Sequence, residues 1–272
     1  MQVLRKLRSK LPAIPFRRPQ SKPLNKQPAF PSIIDGRYEA LIAESAADIA
    51  SALRLRHAVF NIELGGKHAG EPGGVEFDAY DFKCRHLIVR DTLTGETVGT
   101  YRLNTIETAK NRSGFYSATE FDLSHLPHDI LIGGIEIGRA CVAAEHRNTK
   151  VLFLLFKTLI AYLRHMRKQY FFGCCSIFST DAPIGIRAFE KIIADGHTHD
   201  EIRLKPIRNA IEMNVPAGQG DAELPPLFNM YLRLGAKVCS PPILDREFGT
   251  IDLFVVFDIN DLSDRYRKLF AK

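Results

Sequence analysis

No apolar run in this 272-residue chain is long enough to cross a bilayer. The longest, Val151 to Phe156, stops at Lys157, far short of the ~20 residues a membrane helix needs. Residues 1–28 contain no apolar stretch of the secretory kind. The five cysteines include no CxxC pair and no zinc spacing. An odd number of thiols set in apolar runs reads as buried, reduced cysteine, which leads to the expectation of a cytoplasmic protein without disulfides. His197-Thr198-His199-Asp200 has a superficial metal-site look, but no distant third ligand accompanies it, so no metal is expected. There is no nucleophile–base motif, which argues against a covalent enzyme intermediate. No basic patch with interleaved aromatics follows the basic N-terminal segment, so nucleic acid is not an expected partner. Tryptophan is absent altogether.

Composition is otherwise ordinary, with 45% hydrophobic and 25% charged residues. The net charge of +6 is unevenly placed. Eight of the 37 basic residues and no acid fall in residues 1–28, leaving 29 bases against 31 acids in the body. Six prolines punctuate the first 32 residues. The expected organisation is therefore a basic, Pro-rich tail over residues 1–32 and one α/β domain over 33–272, with a C-terminal extension from about 200. Residues 1–11 place Val3, Leu4, Leu7 and Leu11 on one side of a short basic segment. Such a segment suits an anionic membrane surface, giving peripheral attachment to the inner face; a solvated tail is the alternative.

Along the body, Tyr38–Glu44 reads as a strand. A helix capped by Ser45 or Asp48 follows and runs to about Glu63. Arg85–Asp91 and Thr97–Asn104 read as a hairpin around Thr94-Gly95. Val151–Gln169 is apolar almost all round and is expected to be a mostly buried helix. Phe171–Ser179 is a strand, Ile184–Ala194 a helix, Pro225–Leu234 a helix ended by Gly235, and Ile251–Asp258 a last apolar strand. Leu204–Asn214 is ambiguous. Strands dominate early and alternate with helices later, the pattern of a mixed central sheet flanked by helices.

The chemistry is concentrated in few places. Gly133-Gly134-Ile135-Glu136-Ile137-Gly138-Arg139 reads as a central strand in which Glu136 and Arg139 face opposite ways, unless its glycines introduce a bulge. Charged groups are rarely set in such a strand unless paired or used. Glu76 and Asp78 share a face if extended and, with Asp81, make a negative site able to hold an ammonium group, or else a solvated acidic turn. Arg102 shares a face with Thr100. Arg147 and Lys150 stand where the long helix begins.

The ordered series RLRHAVF, EFDAYD, HLIVRD, VGTYRL, EFDL and EIGRACV resembles the acyl-homoserine-lactone synthases and their GNAT-superfamily relatives. Among these are the ornithine-lipid N-acyltransferases, often labelled haemolysin-like. The resemblance covers about residues 38–195, and YLRLGAKVCSPPILDREFGTIDLFVVFDI is similar to the ornithine-lipid branch in particular. It implies a GNAT-like sheet. It also implies that Arg56, Phe60, Glu76, Asp78, Asp81, Arg102, Glu136 and Arg139 line the acceptor and acyl-donor site. The lactone synthases carry a tryptophan after the R-x-x-x-F helix; Gly65-Gly66 stands here, which weighs against S-adenosylmethionine as acceptor. The loop Glu145–Lys150 has no glycine for a tight pyrophosphate cradle. Arg147 and Lys150 instead suit the single phosphate of a phosphopantetheine arm and the acidic surface of an acyl carrier protein.

The resulting expectation is an N-acyltransferase moving a 3-hydroxyacyl chain from acyl carrier protein to the α-amino group of ornithine. Glu136 would be its base, directly or through water; Glu76, Asp78 and Asp81 would grip a second cationic group on the acceptor, and Arg139 or Arg102 its carboxylate. The co-substrate is the carrier's phosphopantetheine thioester, with no bound cofactor. Acylation of glycine or another amino acid, homoserine-lactone synthesis, and a non-enzymatic, membrane-active haemolysin-like protein are the alternatives.

Overall fold

Alternate residues of two neighbouring runs face alternate sides, and that alternation decides the architecture. Leu87, Val89, Tyr101, Leu103 and Ile135 join one apolar cluster, while Ile88 packs on the other side with Ala43 and Ala52. The computed structural model of the protein describes residues 29–66, 74–214, 220 and 223–270. The basic segment of residues 1–11 and most of the Pro-rich tail lie outside the described residues.

Strands β1 (Ile33–Asp35), β2 (Tyr38–Ile42), β3 (Arg85–Asp91), β4 (Thr97–Thr105), β5 (Gly134–Val142), β6 (Tyr170–Ile177), β7 (Lys237–Val238), β8 (Ile243–Asp245) and β9 (Thr250–Asp258) form one sheet. Its order is β1-β2-β3-β4-β5-β6-β9-β7, with β8 pairing the remaining length of β9. Every pair is antiparallel except β5–β6. Helix α1 (Ala46–Arg56) opens with a capping box between Ser45 and Asp48 and lies on the Ile88 face. Helix α2 (Thr149–His165) packs on the other face through Val151, Leu154, Leu155, Leu159 and Leu163. Each such fully buried leucine contributes roughly 1.5–3 kcal/mol. Helices α3 (Ala182–Ala194) and α4 (Pro226–Leu234) extend that core, and α5 (Asp264–Phe270) closes it. The left-handed Gly235 at φ 108° ends α4 where the sequence places its stop. No helix among the described residues is long and apolar enough to cross a membrane.

One local feature differs from the sequence reading, and two others take a form it left open. The first helix does not continue in α form to Glu63; it changes at Arg56 to a π-helical turn, His57–Glu63, closed by Leu64 N–H donating to the Val59 carbonyl at 3.0 Å. Periodicity cannot register this, because the apolar face is preserved while the turn widens. Leu204–Asn214 is neither helix nor strand and contributes only isolated bridges, Phe121 with Pro206 and Ala210 with Ile243. The polar excursion between β4 and β5 is a run of short helical turns. Its Phe115, Phe121, Leu123 and Ile130 build a second core against Phe172 and Phe254.

One departure from regular pairing sets up everything that follows. β5 and β6 pair only as Gly134↔Tyr170, Ile135↔Phe171 and Glu136↔Phe172, then diverge. At the fork, Gly173 has φ +155°, and a Cβ there would stand 2.4 Å from the Ile137 carbonyl oxygen. Only glycine permits that approach.

Candidate active site in the fork of the sheet

The divergence of β5 and β6 opens a cavity of about 700 Å³ that passes through the sheet. Ile137 to Ala140 of β5 and Gly173 to Ser176 of β6 form its sides. On one face it is lined by Glu76, Asp78, Arg102, Glu136, Arg139 and Tyr116. On the other it meets Leu227, Phe228, Tyr231, Val255 and Phe257. One end is charged and the other apolar. The vicinal cysteines divide as strand alternation requires, Cys175 to the apolar core and Cys174 toward the polar face.

The facing of Arg139 is a correction to the regular-strand reading. Gly138 pairs with Arg102 and Cys141 with Thr100, so two residues of β5 oppose the single Tyr101 of β4. Arg139 takes φ 50° in this bulge, which turns it onto the Glu136 face. Glu136 and Arg139 still do not pair with each other. The Arg139 Nε donates to Glu76 at 3.2 Å and its Nη2 to Asp78 at 3.1 Å. Its guanidinium lies between the rings of Tyr116 and Phe248, 4.8 and 4.2 Å from their centroids.

The acidic turn is matched one for one by arginines. Arg56, 0% exposed, donates to Asp81 at 2.6 and 3.1 Å and to Glu76. Arg102 donates to both oxygens of Asp78 at 2.6 Å and reaches Asp81 at 3.3 Å. Burial pushes the Asp81 carboxyl up, but the Arg56 charge and hydrogen bonds, with Arg102 behind them, hold it at about 2. His86, 3.8 Å from Asp81, is pushed down to about 4, chiefly by burial and despite the Asp81 charge. Neither Arg56 nor Asp81 lines the cavity; both stand behind its wall and fix Glu76 and Asp78, which do. Phe60, carried inward on the π turn, also lines it.

Glu136 is 6% exposed and is held by donors from the excursion. Its Oε1 accepts from the Ser117 N–H and hydroxyl, both at 2.8 Å. Its Oε2 accepts from the Tyr116 N–H at 3.1 Å and more distantly from Asn104 Nδ2 at 3.5 Å. Oε2 is the more loosely held of the two oxygens. Arg147 and Lys150 are exposed and lie apart from the cavity. Arg147 is tied to Glu63, with Nη2 donating at 2.6 Å, and Asn148 caps α2 by accepting from the Lys150 and Val151 N–H groups.

Sequence reasoning missed a second acidic group. Glu120, Asp245 and Asp252 are 0, 3 and 3% exposed, and one carboxylate oxygen from each falls within 4.8 Å of the others. Burial, then the Asp252 charge, pushes the Glu120 carboxyl up; burial likewise raises Asp252, against the hydroxyls of Ser176 and Thr250. The signal for Asp252 was available: an ionisable residue in an otherwise apolar final strand is as anomalous as Glu136 in β5.

Comparison with known proteins finds relatives in sequence and neighbours in structure. The acetyltransferase (GNAT) domain family matches residues 55–157. The L-ornithine N(alpha)-acyltransferase of Brucella abortus (strain 2308) is 34% identical over 255 residues, 85% of this chain and 88% of that protein. Its namesake from Rhizobium meliloti (strain 1021) is 32% identical, covering 86% of this chain and 84% of the relative. Among solved structures, the AHL synthase LasI is 12% identical with a TM-score of 0.45, covering 82% of this chain and 90% of its own. The CoA-dependent acyl-homoserine lactone synthase BjaI, solved with SAM and isopentyl-CoA, is 14% identical with a TM-score of 0.46, covering 82% and 83%. Identity at the level of the Brucella relative, sustained over most of both chains, establishes that this chain belongs to the L-ornithine N(alpha)-acyltransferase family and is an acyltransferase of the GNAT fold.

Proposed function

We propose that the protein transfers a 3-hydroxyacyl chain from the phosphopantetheine thioester of acyl carrier protein to the α-amino group of ornithine, giving a lyso-ornithine lipid. The observation that carries this reading is the single cavity, charged on one face of the sheet and apolar on the other. An acyl chain fits the Leu227, Phe228 and Phe257 end, an amino acid fits the charged end, and the thioester lies between them in the fork. Past Glu136 the edge of β5 facing β6 has no paired strand, which leaves backbone groups for the pantetheine arm and, around Gly138, for the thioester oxygen.

In this mechanism Glu136 Oε2, directly or through a water, takes a proton from the substrate ammonium. The freed amine attacks the thioester carbon; the tetrahedral intermediate collapses, the C–S bond breaks and the thiol leaves with a proton. No enzyme-bound acyl group forms. Arg139 and Arg102 address the acceptor carboxylate, while Glu76 and Asp78 orient its ammonium before deprotonation. Arg56 and Asp81 support that wall from behind, and Phe60 closes the entrance. Lys150 and Arg147 meet the phosphate and the acidic carrier surface at the start of α2. Residues 1–11 rest on an anionic membrane surface, keeping a cytoplasmic enzyme close to the lipid it makes.

Kinetics with purified protein, 3-hydroxyacyl carrier protein and ornithine test the assignment. Glu136→Gln should cut kcat at least 100-fold, the range of general-base contributions, with the fold retained by circular dichroism. Unchanged turnover would remove Glu136 from the mechanism.

A further inference from the structure

The two acidic groups of the site differ in how their charge is balanced. Glu76, Asp78 and Asp81 face Arg56, Arg102 and Arg139. Among the described residues, Glu120, Asp245 and Asp252 have within salt-bridge distance only Arg208, whose Nη2 is 3.6 Å from Glu120 Oε1 and whose side chain is 40% exposed. Asp245 is satisfied: its Oδ1 accepts from the Glu247 and Phe248 N–H groups at 2.8 and 3.2 Å, and its Oδ2 from the Tyr116 hydroxyl at 3.4 Å. The others are not. Both oxygens of Glu120 and Oδ1 of Asp252 are buried without a hydrogen bond. A separate side chain shows the same deficit. The Thr250 hydroxyl, on a residue 5% exposed, stands beside Asp252 but makes no hydrogen bond of ordinary geometry. Buried acceptors without donors cost about 1–3 kcal/mol each, a cost that a ligand bringing donors would relieve.

Asp252, Thr250 and Arg208 line the same cavity as Glu136. Tyr116 spans the interval between the two sites: its N–H donates to Glu136 Oε2 at 3.1 Å, and its hydroxyl reaches Asp245 at 3.4 Å. A diamino acid with a three-methylene side chain spans a similar interval with one hydrogen bond at each end. Every unfilled position, carboxylate oxygen or hydroxyl, can accept, which suits a primary ammonium with three donors.

We propose that Asp252 and Thr250, backed by Glu120 and Asp245, form the pocket that binds the side-chain ammonium of the acceptor amino acid and so select a dibasic substrate. This rests on the amino-acid N-acyltransferase reading above and assigns it a specificity site. The raised carboxyls fit: an empty pocket retains protons, and an incoming cation displaces them.

The test compares ornithine with norvaline, which has the same carbon skeleton without the side-chain amine, as acceptors from 3-hydroxyacyl carrier protein. Wild type should prefer ornithine. Asp252→Asn should lower the ornithine-to-norvaline ratio of kcat/KM at least about tenfold, the cost of a lost charge-assisted hydrogen bond. Glu120→Gln should do the same and serves if the first variant does not fold. Ornithine should also raise the Tm of wild type more than that of either folded variant. An unchanged ratio in folded variants, with wild type still acylating ornithine, overturns the pocket and leaves the transferase reading standing. A wild type that acylates no amino acid overturns both. A rise in Tm with Mg2+ or Ca2+ alone that is lost in Asp252→Asn would assign the cluster to a metal and also overturn the proposal.

Discussion

Arg56→Met separates a residue that builds the site from one that touches substrate. Methionine keeps much of the apolar stem and removes the guanidinium, leaving Asp81, whose side chain is 0% exposed, without its main partner. Asp81 is held at about 2 against an ordinary 3.8, which at about 1.4 kcal/mol per unit corresponds to about 2 kcal/mol. The sign follows from the direction. A carboxyl depressed in the folded state contributes stability above pH 3.8, and that contribution is lost as the pH falls through about 2. Glu76 loses its bond to Arg56 as well, and breaking a buried pair from one side costs about 3–5 kcal/mol. Urea unfolding at pH 7 should therefore show a loss in that range, and the acid limb of the stability profile should become shallower between pH 3.8 and about 2. Arg56→Met combined with Asp81→Asn should recover at least 1 kcal/mol relative to the sum of the single losses, about what a coupled neighbour pair shows. A loss below about 1 kcal/mol at pH 7, with an unchanged acid slope, would refute the view that this arginine fixes the acidic turn.

Other expectations are simpler to state. Gly173→Ala places a methyl 2.4 Å from the Ile137 carbonyl; the strands must separate at the fork, at a cost of roughly 1–3 kcal/mol in urea unfolding and with weakened acyl-donor binding. Wild-type stability should decline as the pH rises through the elevated Glu120 value, because a carboxyl raised in the folded state stabilises only while it keeps its proton. Glu120→Gln should flatten that alkaline slope in the same unfolding series, and an unchanged slope would place its origin elsewhere. Ser117→Ala removes the hydroxyl that donates to Glu136 at 2.8 Å; a loss of about 1.5–3 kcal/mol in transition-state stabilisation should appear in kcat/KM, with KM for the acyl donor little changed.

Much of the frame was legible because apolar period is a strong constraint. The hairpin Arg85–Asp91 with Thr97–Thr105, the long helix and the final strand lie within a few residues of their sequence-based bounds. The turn that seats Glu136 was not legible, because 3₁₀ segments such as Tyr116–Thr119 carry no apolar period of their own. β8 is only three residues, too short for a pattern. The site was legible where an ionised residue interrupts an apolar strand, as at Glu136. Its facing was not: a one-residue bulge reverses the outward direction of Arg139, and glycines announce a bulge without locating it. Likewise, the acids at 76, 78 and 81 read as an open cation site in one dimension. In three dimensions their arginines arrive from α1, β4 and β5, which no local spacing could show.

The central claim is that the fork of the sheet joins an acyl chain on one side to an amino group on the other. Mass spectrometry of the products formed from 3-hydroxyacyl carrier protein and an equimolar mixture of amino acids tests it most directly. The account predicts one dominant new mass, the 3-hydroxyacyl amide of ornithine, which disappears with Glu136→Gln. Formation of no amide, or of the glycine amide alone, would contradict it.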